Sequence, residues 1–192
     1  VTGLDSMYND IRPKLFELAR QLAPKARRFA GMFFNPSLPS AGLEAVLERG
    51  RQLARQQGAE YLPLQVRDPA EIEGLVATLK PAAEYVLLVN CDPVMFTQYA
   101  RIAALARAAK LPTASIGPIA QQGGLMSYGP DVAGDARRVA QMADKVLRGT
   151  PPGEIAIEQP TRVKLVLNLR TAREIGLAIP QPLLLRADEV IE

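Results

Sequence analysis

The chain repeats one short pattern. Apolar runs begin near residues 28, 59, 85 and 112, and each gap between them holds one helix-like stretch. The runs "RFAGMFF", "AEYLPLQV", "YVLLVN" and "PTASIG" are nearly continuous in apolar character rather than alternating. A strand that is apolar on both sides has to be covered on both sides. Strand–helix repeats of this rhythm build right-handed βαβ units on a parallel sheet. The expected fold class is therefore α/β, a parallel sheet with helices on both faces.

Local start signals agree with that reading. "DPAE" at 68–71 combines Asp68 as a cap, Pro69 at the first helical position and Glu71 at the third. Asp92 and Pro93 repeat the cap–proline pair before an alanine-rich helix over 94–109. Ser40 is placed to cap a helix over 40–57. Residues 9–22 carry Ile11, Leu15, Leu18 and Leu22 at helical spacing. After residue 118 the rhythm breaks. "PIAQQGG" reads as a loop and "LMSYG" as a short strand. Asp131 then caps a helix over 132–148 whose apolar face carries Val139, Met142, Val146 and Leu147. "TRVKLVLNL" alternates as a half-buried strand, "RTAREIG" is a short helix, and residues 179–192 read as a tail.

Composition removes several function classes. A chain of 192 residues can form one large domain or two small lobes. It has no histidine, which excludes most zinc sites and any Ser-His-Asp arrangement. Its single cysteine, Cys91, allows no internal disulfide and suits a cytosolic or a periplasmic site. The net charge of +3 is spread along the chain, without the basic stripe of a nucleic-acid binder. No apolar run reaches the roughly 18 residues of a membrane span. The chain opens at Val1 with no signal-peptide pattern, and reads as a fragment or a processed product.

Open α/β sheets bind ligands beyond the carboxyl ends of their strands. Those ends read "NPSLPS", "RDPAE", "NCDP" and "GPIAQQGG". They hold no G-x-G-x-x-G and no phosphate loop. They hold no G-x-S-x-G elbow and no paired acids of a receiver domain. What remains is polar without being reactive: Asn35, Ser37, Ser40, Asn90 and Asp92. Ser37 and Ser40 stand where a helix begins, which suits a carboxylate. Ser40 reads equally as a plain cap, and Asn35 also as a turn residue before Pro36. Asn90 and Asp92 can receive an ammonium or a hydroxyl, although Asp92 reads first as a helix cap. Cys91, with no histidine to activate it, reads as a packed thiol. No catalytic group, metal or cofactor is expected.

The stretches "GGLMSYGPD" and "ADKVLRGTPPGEIAIEQPTRVKLVLNLRTAREIGLAIPQPLLLRADEVI" resemble the C-terminal part of the periplasmic substrate-binding proteins of ABC transporters. Within these the chain is similar to an uncharacterised subgroup with a type I periplasmic-binding-protein-like fold. "FFNPSLPSA" and the opening "VTGLDS" support the resemblance. It implies two α/β lobes with a ligand between them, of which the first is largely missing here. Residues 5–118, with a return segment near 160–178, would form the second lobe. Residues 119–150 would cross over, and their strand and helix would belong to the first. The resemblance further implies a small polar ligand, an amino acid or related carboxylate, delivered to a membrane permease from the periplasm. Tyr128 would add a ring or hydroxyl from the hinge side, or else pack in the core. The apolar faces left by the missing lobe lead to an expected homodimer or swapped dimer. A ligand-sensing regulatory domain of the same fold is the alternative. A flavodoxin-like enzyme is disfavoured by the lack of a reactive constellation.

Overall fold

The computed structural model describes residues 2–5, 7–34, 40–160 and 162–192. Helix α1 (Tyr8–Leu22) leads into strand β1 (Arg28–Phe34), and α2 (Ser40–Gln56) into β2 (Glu60–Val66). A 3-10 turn continues as α3 (Ile72–Ala77), followed by β3 (Tyr85–Val89), α4 (Pro93–Ala108) and β4 (Thr113–Ser115). Then come β5 (Met126–Pro130), α5 (Val132–Leu147), β6 (Val163–Asn168) and α6 (Leu169–Ile175), and last α7 (Gln181–Leu184) and β7 (Glu189–Ile191). No described helix is long and apolar enough to cross a membrane.

The seven strands of the described residues join one sheet in the order β2-β1-β3-β4-β5-β6-β7. The first five run parallel, with Arg28 opposite both Glu60 and Tyr85 and Leu87 opposite Thr113. β5 pairs parallel with β4, placing Met126 beside Ala114, and antiparallel with β6, placing Tyr128 beside Leu165. β6 and β7 are parallel to each other. The mostly parallel α/β architecture follows from the continuous apolar strands: all five residues of β3 are buried.

Two core layers flank the sheet. On one face Leu15, Phe16 and Leu18 of α1 and Leu53 of α2 pack on Phe29, Val86, Leu88, Met126 and Leu167. On the other, Ile72 and Val76 of α3 and Met95, Tyr99 and Ile102 of α4 pack on Met32, Leu87 and Val89.

Three details differ from the sequence expectations. The strand in "LMSYG" does not leave for another lobe: its hydrogen bonds to β4 and β6 place it in this sheet. The C-terminal stretch is not a free tail, since α7 buries Leu183 and β7 extends the sheet beside β6. β6 is not half-buried, because with a strand on each side its residues Leu165–Asn168 are all covered. The rest of the crossover behaves differently. Of the apolar face of α5 only Met142 is buried, while Val139 and Leu147 are exposed.

Candidate functional site

The carboxyl ends of β1, β3 and β4 lie side by side, and the first turns of α1 arrive beside them. Helix α1 precedes a parallel strand, so its N-terminus returns to the carboxyl end of the sheet. Tyr8 and Arg12 therefore reach residues 90 and 91, which follow β3. Arg12 Nη2 donates to Asn90 Oδ1 at 3.3 Å, and Tyr8 Oη lies 3.6 Å from Cys91 Sγ. Burial, aided by the Cys91 contact, pushes the Tyr8 hydroxyl up to about 12, so it is a neutral hydrogen-bonding group at physiological pH.

Asn90 continues the β1–β3 ladder by donating its backbone N–H to the Met32 carbonyl at 2.8 Å. Its side-chain amide donates to Asp92 Oδ2 at 3.4 Å. Asp92 is the N-cap of α4. Oδ1 accepts from Met95 N at 2.9 Å, and Oδ2 accepts from Phe34 N at 3.2 Å. One carboxylate thus closes a helix start and ties the end of β1 to it.

Beneath these groups Tyr99 fixes the floor. Its hydroxyl lies 2.8 Å from Ser115 Oγ and 3.1 Å from the Asn90 carbonyl, while Ser115 donates to the Val89 carbonyl at 2.7 Å. Burial raises the Tyr99 hydroxyl well above its ordinary range. Gly117 is required above it, because a Cβ there would lie 2.5 Å from Tyr99 Oη and 2.9 Å from Cys91 Sγ.

A cavity of about 50 Å³ lies beside this cluster, lined among others by Arg12, Gly31, Tyr61, Asn90, Cys91 and Ile116. The Tyr61 ring fills the space over two glycines. A Cβ on Gly50 would meet its Cζ at 2.6 Å, and one on Gly31 would collide with its hydroxyl. Burial raises the Tyr61 hydroxyl above its usual range and lowers the basicity of the Arg12 guanidinium.

Of the residues singled out from sequence, Asn90 and Asp92 come together. Asn35 and Ser37 lie outside the described residues. Ser40 is the first residue of α2, and the position that would cap the helix, residue 39, lies outside the described residues. Tyr128 lies on β5, two strands from β3, half-buried against the α1 side of the core. Three groups were not foreseen: Tyr8, Arg12 and Tyr61. The first two had a signal. Positions 8, 12 and 16 share one helical stripe, so an arginine stands between Tyr8 and the buried Phe16. Tyr61 had none, because its ring is placed by Gly31 and Gly50, far from it in sequence. Among the described residues no group of three His, Cys, Asp or Glu is placed to hold a metal. The assembled groups donate and accept hydrogen bonds, and none is paired as a nucleophile with a base.

A polar cluster at the carboxyl ends of a parallel sheet is the mark of a ligand-binding α/β lobe. Solved structures agree on the fold. A conserved domain protein from Vibrio cholerae superposes with a TM-score of 0.82 at 20% identity, covering 99% of this chain and 62% of that one. The ABC domain in complex with L-Trp from Streptococcus pneumoniae gives 0.79 at 20% identity, covering 99% and 64%. A ligand-free, open substrate-binding protein with adhesive properties from Clostridium difficile gives 0.70 at 17% identity, covering 100% and 62%. The chain thus spans less than two thirds of each of these proteins. No curated protein sequence matches it. The family model described as ABC transporter substrate binding protein matches residues 1–191, and the chain belongs to that family.

Proposed function

We propose that the chain is part of the solute-binding component of an ABC transporter. It holds a small polar molecule, an amino acid or related carboxylate, against the carboxyl edge of this sheet and delivers it to a membrane permease from the periplasm. The observation that carries this reading is the cluster Arg12–Asn90–Asp92, a connected set of passive hydrogen-bonding groups at the strand ends. The complex of the Streptococcus pneumoniae protein with L-Trp supports the ligand class. On this reading Asn35, Ser37, Ser40 and Asn90 face the solute, Asp92 holds the strand end in place, and Tyr128 borders the site from β5. The lobe opposite closes by a hinge motion that the ligand stabilises, and no bond is made or broken. Residues 5–118 and 160–178, with β5, form one lobe. The exposed face of α5 rests on the other lobe or, in its absence, on a second copy of the chain.

A thermal-shift screen of the intact protein against the twenty L-amino acids and small carboxylates tests the reading. A solute at a hundred times its dissociation constant adds about 2.7 kcal/mol of stability. At least one of these solutes is expected to raise the melting temperature by several degrees. A screen in which none does so, or in which a solute is chemically altered, defeats the reading.

A further inference from the structure

Arg12 is a cation without a counter-ion. It takes part in none of the ion pairs among the described residues. The residues outside the description include no acid, so no carboxylate can be supplied from there either. Among the described residues one of its five N–H groups is used, on Asn90 Oδ1, and that acceptor is neutral. Arg49, another cation, lowers its basicity further, and no acid is among the groups that shift it. A half-buried guanidinium in this position carries a desolvation cost that no ion pair among the described residues offsets. The Arg12–Asn90 bond meanwhile fixes where the guanidinium sits.

A second group in the same cavity is also unspent. Tyr61 Oη makes no hydrogen bond among the described residues, and it lines the cavity together with Arg12. The two are close enough for each to alter the other's ionisation. Gly31 and Gly50 keep the space that the Tyr61 ring needs. The cavity of about 50 Å³ has room for roughly three or four water-sized groups, the size of one carboxylate. A planar guanidinium fork matches a carboxylate with two parallel N–H bonds, and a phenol adds a third donor.

We propose that Arg12, with Tyr61 beside it, receives the carboxylate of the bound solute. This rests on the solute-binding reading for the identity of the ligand, and it moves the carboxylate from the start of α2, where the serines place it, to the wall between α1 and β1. Binding cancels the charge that folding leaves uncompensated, so an uncharged analogue of the same shape is rejected.

The test uses the side-chain Nε–H resonance of Arg12 in the intact protein, assigned by its loss in Arg12→Lys. Acetate, acetamide and inorganic phosphate are titrated separately at constant ionic strength. Acetate is expected to shift the resonance saturably, and acetamide is not. No shift with acetate, an equal shift with acetamide, or a shift with phosphate alone overturns the proposal. The second arm takes a solute that binds in the thermal screen. Arg12→Gln should weaken it by about 30-fold or more, and Arg12→Lys by less. Tyr61→Phe should weaken it several-fold with no loss of melting temperature in the free protein. Equal affinity in wild type and Arg12→Gln overturns the proposal and leaves the transport reading standing. Acetate binding at Arg12 with no solute of the screen bound does the reverse.

Discussion

Helices α1 and α5 are of nearly equal length, and each has an apolar stripe in sequence, yet they end in opposite situations. α1 buries Ile11, Leu15, Phe16, Leu18, Ala19 and Leu22 against the sheet. α5 buries Met142, which belongs to neither core cluster, and leaves Val132, Val139 and Leu147 exposed. Besides Met142 it is tied by polar contacts, the Arg138–Glu158 ion pair and the Asp131–Lys164 pair at 3.0 Å. An amphipathic pattern states that a face needs cover; it does not state where the cover lies. α1 finds it in the same sheet. On the function proposed above, α5 finds it in the facing lobe.

The largest contrast is in stability. Leu18→Ala in α1 removes a fully buried side chain and should cost about 3–4 kcal/mol in denaturant unfolding. Val139→Ala in α5 should stay within about 0.5 kcal/mol, as an exposed position does. Equal losses at the two sites would erase the distinction. Next comes Met142→Ala. Met142 is covered but lies outside both clusters, so its loss should be nearer 1 kcal/mol than the 2–5 usual for a core methionine. Native-state hydrogen exchange sharpens the same point: α5 amides should open well below the global unfolding energy, and α1 amides close to it.

How far the sequence was legible follows the same division. Elements set by local signals were found almost to the residue. α4 begins at Pro93 behind Asp92, β1 runs Arg28–Phe34 as read, and α5 runs Val132–Leu147. Partnership across long distances was not legible. Nothing in "LMSYG" says that Met126 will lie beside Ala114 and Leu167, because a five-residue apolar strand fits any neighbour of the right length. β7 was missed because three residues carry no periodicity. At the site, Asn90 and Asp92 were found because strand ends are marked in sequence. Arg12 was passed over because a charge beside a leucine stripe usually reads as the solvent side of a helix. Only the fold shows that the stripe of Tyr8, Arg12 and Phe16 faces the end of β3.

The smallest expected effect tests how α5 is held at its start. Asp131 is the N-cap residue of α5, and its carboxylate meets Lys164 of β6. The Lys164 hydrogen bond is the main cause that holds this carboxyl below its ordinary value of 3.8. A depressed acid binds fewer protons in the folded state. Its contribution is therefore complete above pH 3.8 and is lost as the pH falls through the folded value. Asp135, one turn on, works the other way. Burial, and then the charge of Asp131, raise its carboxyl, so its share of stability declines as the pH rises past 3.8. Lys164→Ala separates the two, because it releases Asp131 and leaves Asp135 in place. Amide exchange in the first turn of α5 should be faster in Lys164→Ala than in wild type at pH 6, by at most about fivefold for a partly exposed pair. The two proteins should converge below pH 3.8. A difference that persists in acid would mean that Lys164 holds α5 through packing of its stem rather than through Asp131, and the helix would then be less dependent on polar ties than its exposed apolar face implies.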